Sequence, residues 1–318
     1  MRTAFSDRLI EEARSDSRLI LMTGDHGYAL FDSFRNACPD QYLNVGIAEQ
    51  NMVGTAAGLA KSGFHPVVYG LSAFVPVRVL EQIKLDVCYE NLPVVFIGDG
   101  AGVVYTTFGT SHQSTEDIAA LRALPNIRIV SPSDDYEMNE CLGYAFKEKA
   151  PVYVRMGKAD LGNVHSKPPG LAPSQLHLVV PGTTGGLAWV ATGSQVHNAL
   201  KVAKRWPGSS VWSAPFIKPL NETQVASVCQ THGAVIVLEE HNVIGGLGSA
   251  ITEIASTHHP VRILRIGIQD RFSSGTGTYQ DLMEEHGLTP EKIHAKVERF
   301  LFENTDHRSV RVHRASAS

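Results

Sequence analysis

Residues 65–100 read HPVVYGLSAFVPVRVLEQIKLDVCYENLPVVFIGDG. Two short Val- and Ile-rich runs, HPVVYGL and LPVVFIGD, flank a stretch at 74–89 whose apolar positions recur at helical spacing. Near-continuous apolar runs of this length mark strands buried on both faces, as in parallel sheets with covering helices. Working outward, LILMTGD at 19–25, IRIVSP at 127–132 and PVYVRM at 151–156 repeat the strand signal. Helical periodicity fills 48–60, 116–121 and 135–146. SPSD at 131–134 is a helix start, with Ser133 or Asp134 placed to cap the first turn.

The rhythm breaks at GNVHSKPPGLAPSQLHLVVPGTTGG, whose Pro and Gly content predicts a linker over 163–185. A second series follows: LAWVATG, SVWSAP, AVIVLEE and VRILRIGI, with helices between and two after. The fold class expected is therefore α/β, with two open-sheet domains at 1–162 and 186–305. Residues 306–318 read as a disordered polar tail.

Bulk composition narrows the function classes. The chain has 318 residues, 43% of them hydrophobic, and a net charge of −4 with both signs interspersed. A nucleic-acid binder would show a clustered basic face. Cys38, Cys88, Cys141 and Cys229 form no CxxC pair and read as reduced thiols. The N-terminal MRTAFSDRLIEEARSDSR is charged and amphipathic, without a signal peptide's apolar core. No run approaches the ~20 apolar residues of a membrane helix. A cytoplasmic protein is expected.

Several segments carry chemistry-bearing residues, each with a bland and a sharp reading. In NVGIAEQNMVGTAAGLAKSG at 44–63, Glu49 near a helix start is either a first-turn acid favoured by the helix dipole or a carboxyl held in an apolar cleft to share a proton with a ligand nitrogen. Gly54, Ala56, Ala57 and Gly58 then let another backbone or a ligand approach closely. Tyr69 and Phe74 are core residues or the wall of a flat pocket. His112, in a Gly/Thr/Ser-rich loop after a strand, is solvated or faces a cleft. Asp25 and His26 follow the first strand at its carboxyl end, where open α/β sheets collect ligands. Arg155 at a strand end is a surface charge or an anion contact.

Two other segments invite misreading. GDG at 98–100 followed by Asn126 fits the spacing of a diphosphate-metal motif, which supplies Asp and Asn oxygens to Mg²⁺. The intervening stretch, however, is a polar loop, and Leu-Pro precedes Asn126. Gly245, Gly246 and Gly248 lack the G-x-G-x-x-G spacing of a dinucleotide turn, so a structural turn is expected there.

NVGIAEQ, VYGLSAF, GTSHQSTED, APVYVRMGK, FIKPLN, EEHNVIGGLGSA and GIQDRF occur in the order and approximate spacing of one family. With them the chain resembles transketolases and 1-deoxyxylulose-5-phosphate synthases over nearly its whole length. The match begins at the first residues, as in the separately encoded C-terminal subunit of split transketolases. This resemblance implies a thiamine diphosphate pyrimidine-binding domain followed by a transketolase C-terminal domain. Glu49 then bonds the N1′ nitrogen of the cofactor's aminopyrimidine, Phe74 stacks on that ring, Tyr69 lines the pocket and Arg78 supports its wall. His112 reaches the reacting sugar carbons; Asp25 and His26 lie near the substrate; Arg155 and Lys158 grip its phosphate. Mg²⁺ and its ligands are expected on an N-terminal partner subunit in a two-plus-two assembly. The activity implied is transfer of a two-carbon ketol unit from a ketose phosphate to an aldose.

One departure bears on substrate. Phe108 stands where the family carries an acid before the glycine of GTSHQ, and a second loop histidine has no counterpart. A pyruvate-using carboligase of the 1-deoxyxylulose type is the enzymatic alternative. A non-catalytic scaffold or regulatory subunit is the alternative from another class.

Overall fold

A computed structural model describes residues 1–27, 29–157 and 161–302. Lys158 and the 306–318 tail lie outside the described residues. The strands are β1 Leu19–Thr23, β2 Tyr42–Asn44, β3 His65–Leu71, β4 Val95–Asp99, β5 Arg128–Val130 and β6 Val152–Met156. They continue as β7 His177–Val180, β8 Leu187–Ala191, β9 Ser210–Ser213, β10 Phe216–Lys218, β11 Ala234–Asn242 and β12 Ile263–Ile268.

The first sheet has the order β10-β5-β6-β4-β3-β1-β2 and the second β12-β11-β8-β9-β7. Every pairing is parallel except β10 with β5 and β7 with β9. Helices cover both faces of the first sheet. Helix Arg2–Ser15 and helix Asp135–Ala145 bury Phe5, Leu9, Met138 and Leu142 against one face. Helix Glu49–Lys61 buries Met52, Val53 and Ala56 against the other. All four cysteines are buried and free.

Three features depart from the sequence reading. The expected helix over 74–89 is broken into a 3-10 turn Val77–Val79, one short α-turn Leu80–Gln82 and a π-turn Ile83–Cys88. Pro76 lacks an N–H, and Val75, Val77 and Val79 are β-branched, so this end resists a regular α-helix. The 163–185 segment contributes β7, the edge strand of the second sheet. β10 leaves its own domain to cap the first sheet beside β5. An isolated Val-Ile run announces neither pairing.

Asp134 caps its helix, accepting from Glu137 N at 2.9 Å. The same carboxylate accepts from the backbone of Val164 and His165 and meets His165 Nδ1 at 2.9 Å, clasping the linker to the helix start. Burial disfavours a charged His165, but the Asp134 hydrogen bond and the charges of Glu137, Asp134 and Glu140 outweigh it, so its pKa is raised. A raised folded pKa contributes stability fully below the unfolded value and loses it as pH climbs through the folded one. The urea midpoint gap between the natural chain and His165→Gln is therefore expected to be widest below about pH 6.5 and to narrow above it. A gap independent of pH would contradict the clasp.

Candidate active site

The carboxyl ends of β1, β3 and β4 converge on one edge of the first sheet, and the loops leaving them carry the candidate residues. Glu49 opens the helix that follows β2 and is 4% exposed. Its Oε1 accepts from Arg78 Nη1 at 3.0 Å. A carboxylate at a helix N-terminus is favoured by the backbone dipole, so this burial has compensation on two sides. The Arg78 guanidinium lies 3.8 Å from the Phe74 ring centroid, a cation–π contact that braces the ring.

Phe74 then joins two histidines. Its ring centroid is 5.6 Å from His26 and 5.3 Å from His112. Phe108 stacks on His112 at 4.9 Å and 29°, and Tyr105 stands 6.4 Å away. His112 Nδ1 meets Ser111 Oγ at 3.0 Å. Glu49, Arg78, Phe74, His26 and His112 are thus brought together: a buried carboxyl beside a flat aromatic wall, with imidazoles along its edge.

His26 is fixed by its own backbone. Its carbonyl accepts from Thr23 Oγ1 at 2.9 Å, after Asp25 in a left-handed turn (φ 65°). Burial lowers its pKa; Glu49 and Asp25 oppose this, while Arg78 and His112 reinforce it. The imidazole is therefore neutral at pH 7, and its Nδ1 has no hydrogen-bond partner among the described residues. Asp25 is exposed at the rim, 3.5 Å from Asn44 Nδ2.

Two expected contacts are corrected. Tyr69 is 0% exposed and cannot line a pocket. It packs edge-on against Phe31 at 4.7 Å, and its hydroxyl donates to Asp99 Oδ2 at 2.8 Å. Arg155 is 4% exposed, with Nε donating to Asp117 at 2.8 Å and Nη2 to the carbonyls of Ser114 and Glu240. Burial opposes both charges, and their mutual attraction outweighs it: Asp117 is held below the usual carboxylate range and Arg155 above its own. Nε and both N–H groups of Nη2 are thus spent inside the protein.

The GDG segment also has a packing explanation. Asp99 receives Tyr69 and Tyr105, and a Cβ on Gly100 (φ +77°) would lie 2.0 Å from the Tyr105 ring. Asn126 instead donates to the Cys88 carbonyl at 2.9 Å. Among the described residues, no three His, Cys, Asp or Glu side chains gather to hold a metal ion. The site fits a flat heteroaromatic ring.

Sequence reasoning missed the ionisable triplet Glu239-Glu240-His241, which ends the apolar run AVIVL and is almost wholly buried. Burial pushes Glu239 up to about 7 and His241 down to about 4. Three ionisable residues finishing a buried strand were the available signal.

Comparison with known proteins agrees with this geometry. Residues 1–163 match the transketolase pyrimidine-binding domain and 185–293 the transketolase C-terminal domain. A subunit of the apulose-4-phosphate transketolase of Actinobacillus succinogenes is 32% identical over 90% of this chain and 94% of that one. A 1-deoxy-D-xylulose-5-phosphate synthase of Pasteurella multocida is 35% identical over 93% of this chain, which spans 48% of that enzyme. A split-gene transketolase, solved as an inactive β4 tetramer, superposes with TM-score 0.86 at 31% identity, covering 94% of this chain and 97% of the other. Fold and matches define a class: two α/β domains in series, pyrimidine-binding and then C-terminal, of thiamine-enzyme type. The chain belongs to the transketolase family.

The correction of Arg155 is directly measurable. Arg155→Ala strands a buried Asp117, which costs on the order of 3–5 kcal/mol, read as a fall in the urea-unfolding free energy of the chain. A loss under about 1 kcal/mol, the scale of an exposed pair, would return Arg155 to a surface role.

Proposed function

We propose that this chain is the pyrimidine-holding subunit of a two-subunit, thiamine diphosphate-dependent transketolase that passes a two-carbon ketol unit from a ketose phosphate to an aldose. The observation that carries the reading is the buried Glu49 carboxyl beside the Phe74 ring, with His112 along the same wall. Thiamine diphosphate, when bound, supplies the carbanion chemistry that cleaves a ketose next to its carbonyl. Glu49 would share a proton with N1′ of the bound pyrimidine, and Phe74 would stack on that ring. Arg78 keeps the Glu49 carboxyl in place. His112, with His26 beside it, exchanges protons with substrate hydroxyls. Asp25 stands at the rim to contact the sugar, and Lys158 is the remaining candidate for its phosphate.

The two domains matched in this chain are the pyrimidine-binding and C-terminal ones, which supports a partner that provides Mg²⁺ and diphosphate ligands. The relatives' naming as subunits supports it too, and the β4 tetramer of the split-gene relative supports self-association within a two-plus-two assembly. No described helix is long and apolar enough to cross a membrane. The four buried free thiols suit a reducing, cytoplasmic setting.

A second reading has its own observation. Phe108, 63% exposed, presents an aromatic face beside His112 where a polyhydroxy sugar wants an acceptor. Donors with fewer hydroxyls, pyruvate included, suit that wall. A scaffold role is disfavoured by the assembly of Glu49, Phe74 and His112 at one edge.

The decisive assay reconstitutes the chain with a partner subunit carrying the metal motif and follows donor loss from xylulose 5-phosphate and from pyruvate. Glu49→Gln is expected to lower kcat by about 10²–10⁴ with little change in melting temperature. Near-normal turnover in this variant would sink the mechanism, and consumption of pyruvate alone would select the second reading.

A further inference from the structure

The loop at 100–115 carries Tyr105, Phe108 and His112, and its stem is tied both to its own domain, where Gly100 and Ala101 N–H donate to the Met156 carbonyl and Ser114 Oγ to the Ser72 carbonyl, and to the second domain. Val103 is fully buried in that domain's core, among Trp189, Ala191 and Ile236. Its backbone N–H donates to Glu240 Oε1 at 2.9 Å. The other oxygen of the same carboxylate accepts from Ser194 Oγ at 2.5 Å and from Tyr279 Oη at 2.6 Å. A Cβ on Gly102 (φ +77°) would lie 2.1 Å from Glu240 Oε1, so the glycine is what lets the loop reach the carboxylate.

The returning limb is tied to the same place. Gly102 and Ser114 exchange backbone hydrogen bonds at 2.9 and 2.8 Å. Arg155 donates to both the Ser114 and the Glu240 carbonyls. Asn242 N donates to the Thr115 carbonyl at 2.7 Å, and Ser273 Oγ to Gln113 Oε1 at 2.7 Å. Between these ties, residues 104–112 make two short 3-10 turns (Thr106–Phe108 and Thr110–His112), and among the described residues no backbone hydrogen bond joins this span to another element.

We infer that Glu240 is a positioning residue for His112: the second domain sets the active-site loop through one buried carboxylate that joins Val103, Ser194 and Tyr279. It touches neither cofactor nor substrate. Its effect reaches the site through the loop stem, where a small displacement is passed to His112 and to the Phe74–His112–Phe108 stack. Only the catalytic arm of the test below rests on the proposed function.

Hydrogen exchange on the full chain tests the inference without activity. Losing a hydrogen bond to a buried carboxylate shifts a local opening equilibrium by about tenfold or more. Glu240→Ala is therefore expected to speed exchange across 100–115 by about that factor, leaving β1 and β3 unchanged. Glu240→Gln keeps an acceptor for Val103 N–H and is expected to restore most of the protection. Should the alanine variant fail to fold, Tyr279→Phe removes one donor without emptying the space, and is expected to loosen the same peptides by a smaller factor. In the reconstituted enzyme, kcat falls with the loop while the cofactor KM stays put. Unchanged exchange in the loop, or loosening spread evenly through the second domain, overturns the inference. A natural chain with no ketol transfer would overturn the proposed function and leave the exchange result to decide this one.

Discussion

Arg155 and Asp117 sit against each other out of reach of water, and the geometry around the site follows from that pair. A buried ion pair is offset against its desolvation by good geometry and by further hydrogen bonds to its remaining donors and acceptors. Here Tyr153 donates to the same Asp117 oxygen at 2.7 Å, and Arg155 Nη2 donates to the carbonyls of Ser114 and of Glu240 in the second domain, while Asp117 Oδ1 has no hydrogen-bond partner among the described residues. The guanidinium therefore fastens the returning limb of the active-site loop to the second sheet. The second domain is a structural part of the first domain's site, although it contributes none of the aromatic or acidic groups in the cleft.

The site itself is one-sided. It has a buried acid, a braced aromatic ring and imidazoles, which suit a flat nitrogen heterocycle and proton exchange. Among the described residues, no three His, Cys, Asp or Glu side chains gather there to hold a metal ion. Exposed Ile47 and Phe108 stand on the loops around this edge. The proposed function reads this edge as one half of a composite cofactor site.

The strands were legible because both faces of the first sheet are covered: LPVVFIGD and PVYVRM are apolar at nearly every position, and nothing else of that length competes. SPSD limited the helix cap to Ser133 or Asp134, and the hydrogen bond from Glu137 N makes it Asp134. Helix 74–89 misled because its apolar spacing is real while Pro76 and three valines disturb its start. Edge strands β7 and β10 were hidden because pairing partners lie outside any local pattern. At the site, Glu49, Phe74, Arg78, His26 and His112 came from segment resemblance and do meet at one edge. Tyr69 and Arg155 came the same way but lie beneath it, since position along a strand end does not say which way a side chain is consumed. Glu240 was passed over because a strand-terminal acid reads as solvated until its partners are known.

Calorimetric titration of thiamine diphosphate with Mg²⁺ tests the half-site most directly, first into this chain alone and then into this chain with a partner subunit carrying the diphosphate and metal ligands. The proposed function predicts saturable binding only in the mixture. Comparable affinity in the chain alone would mean that it holds the whole cofactor, and would contradict the account.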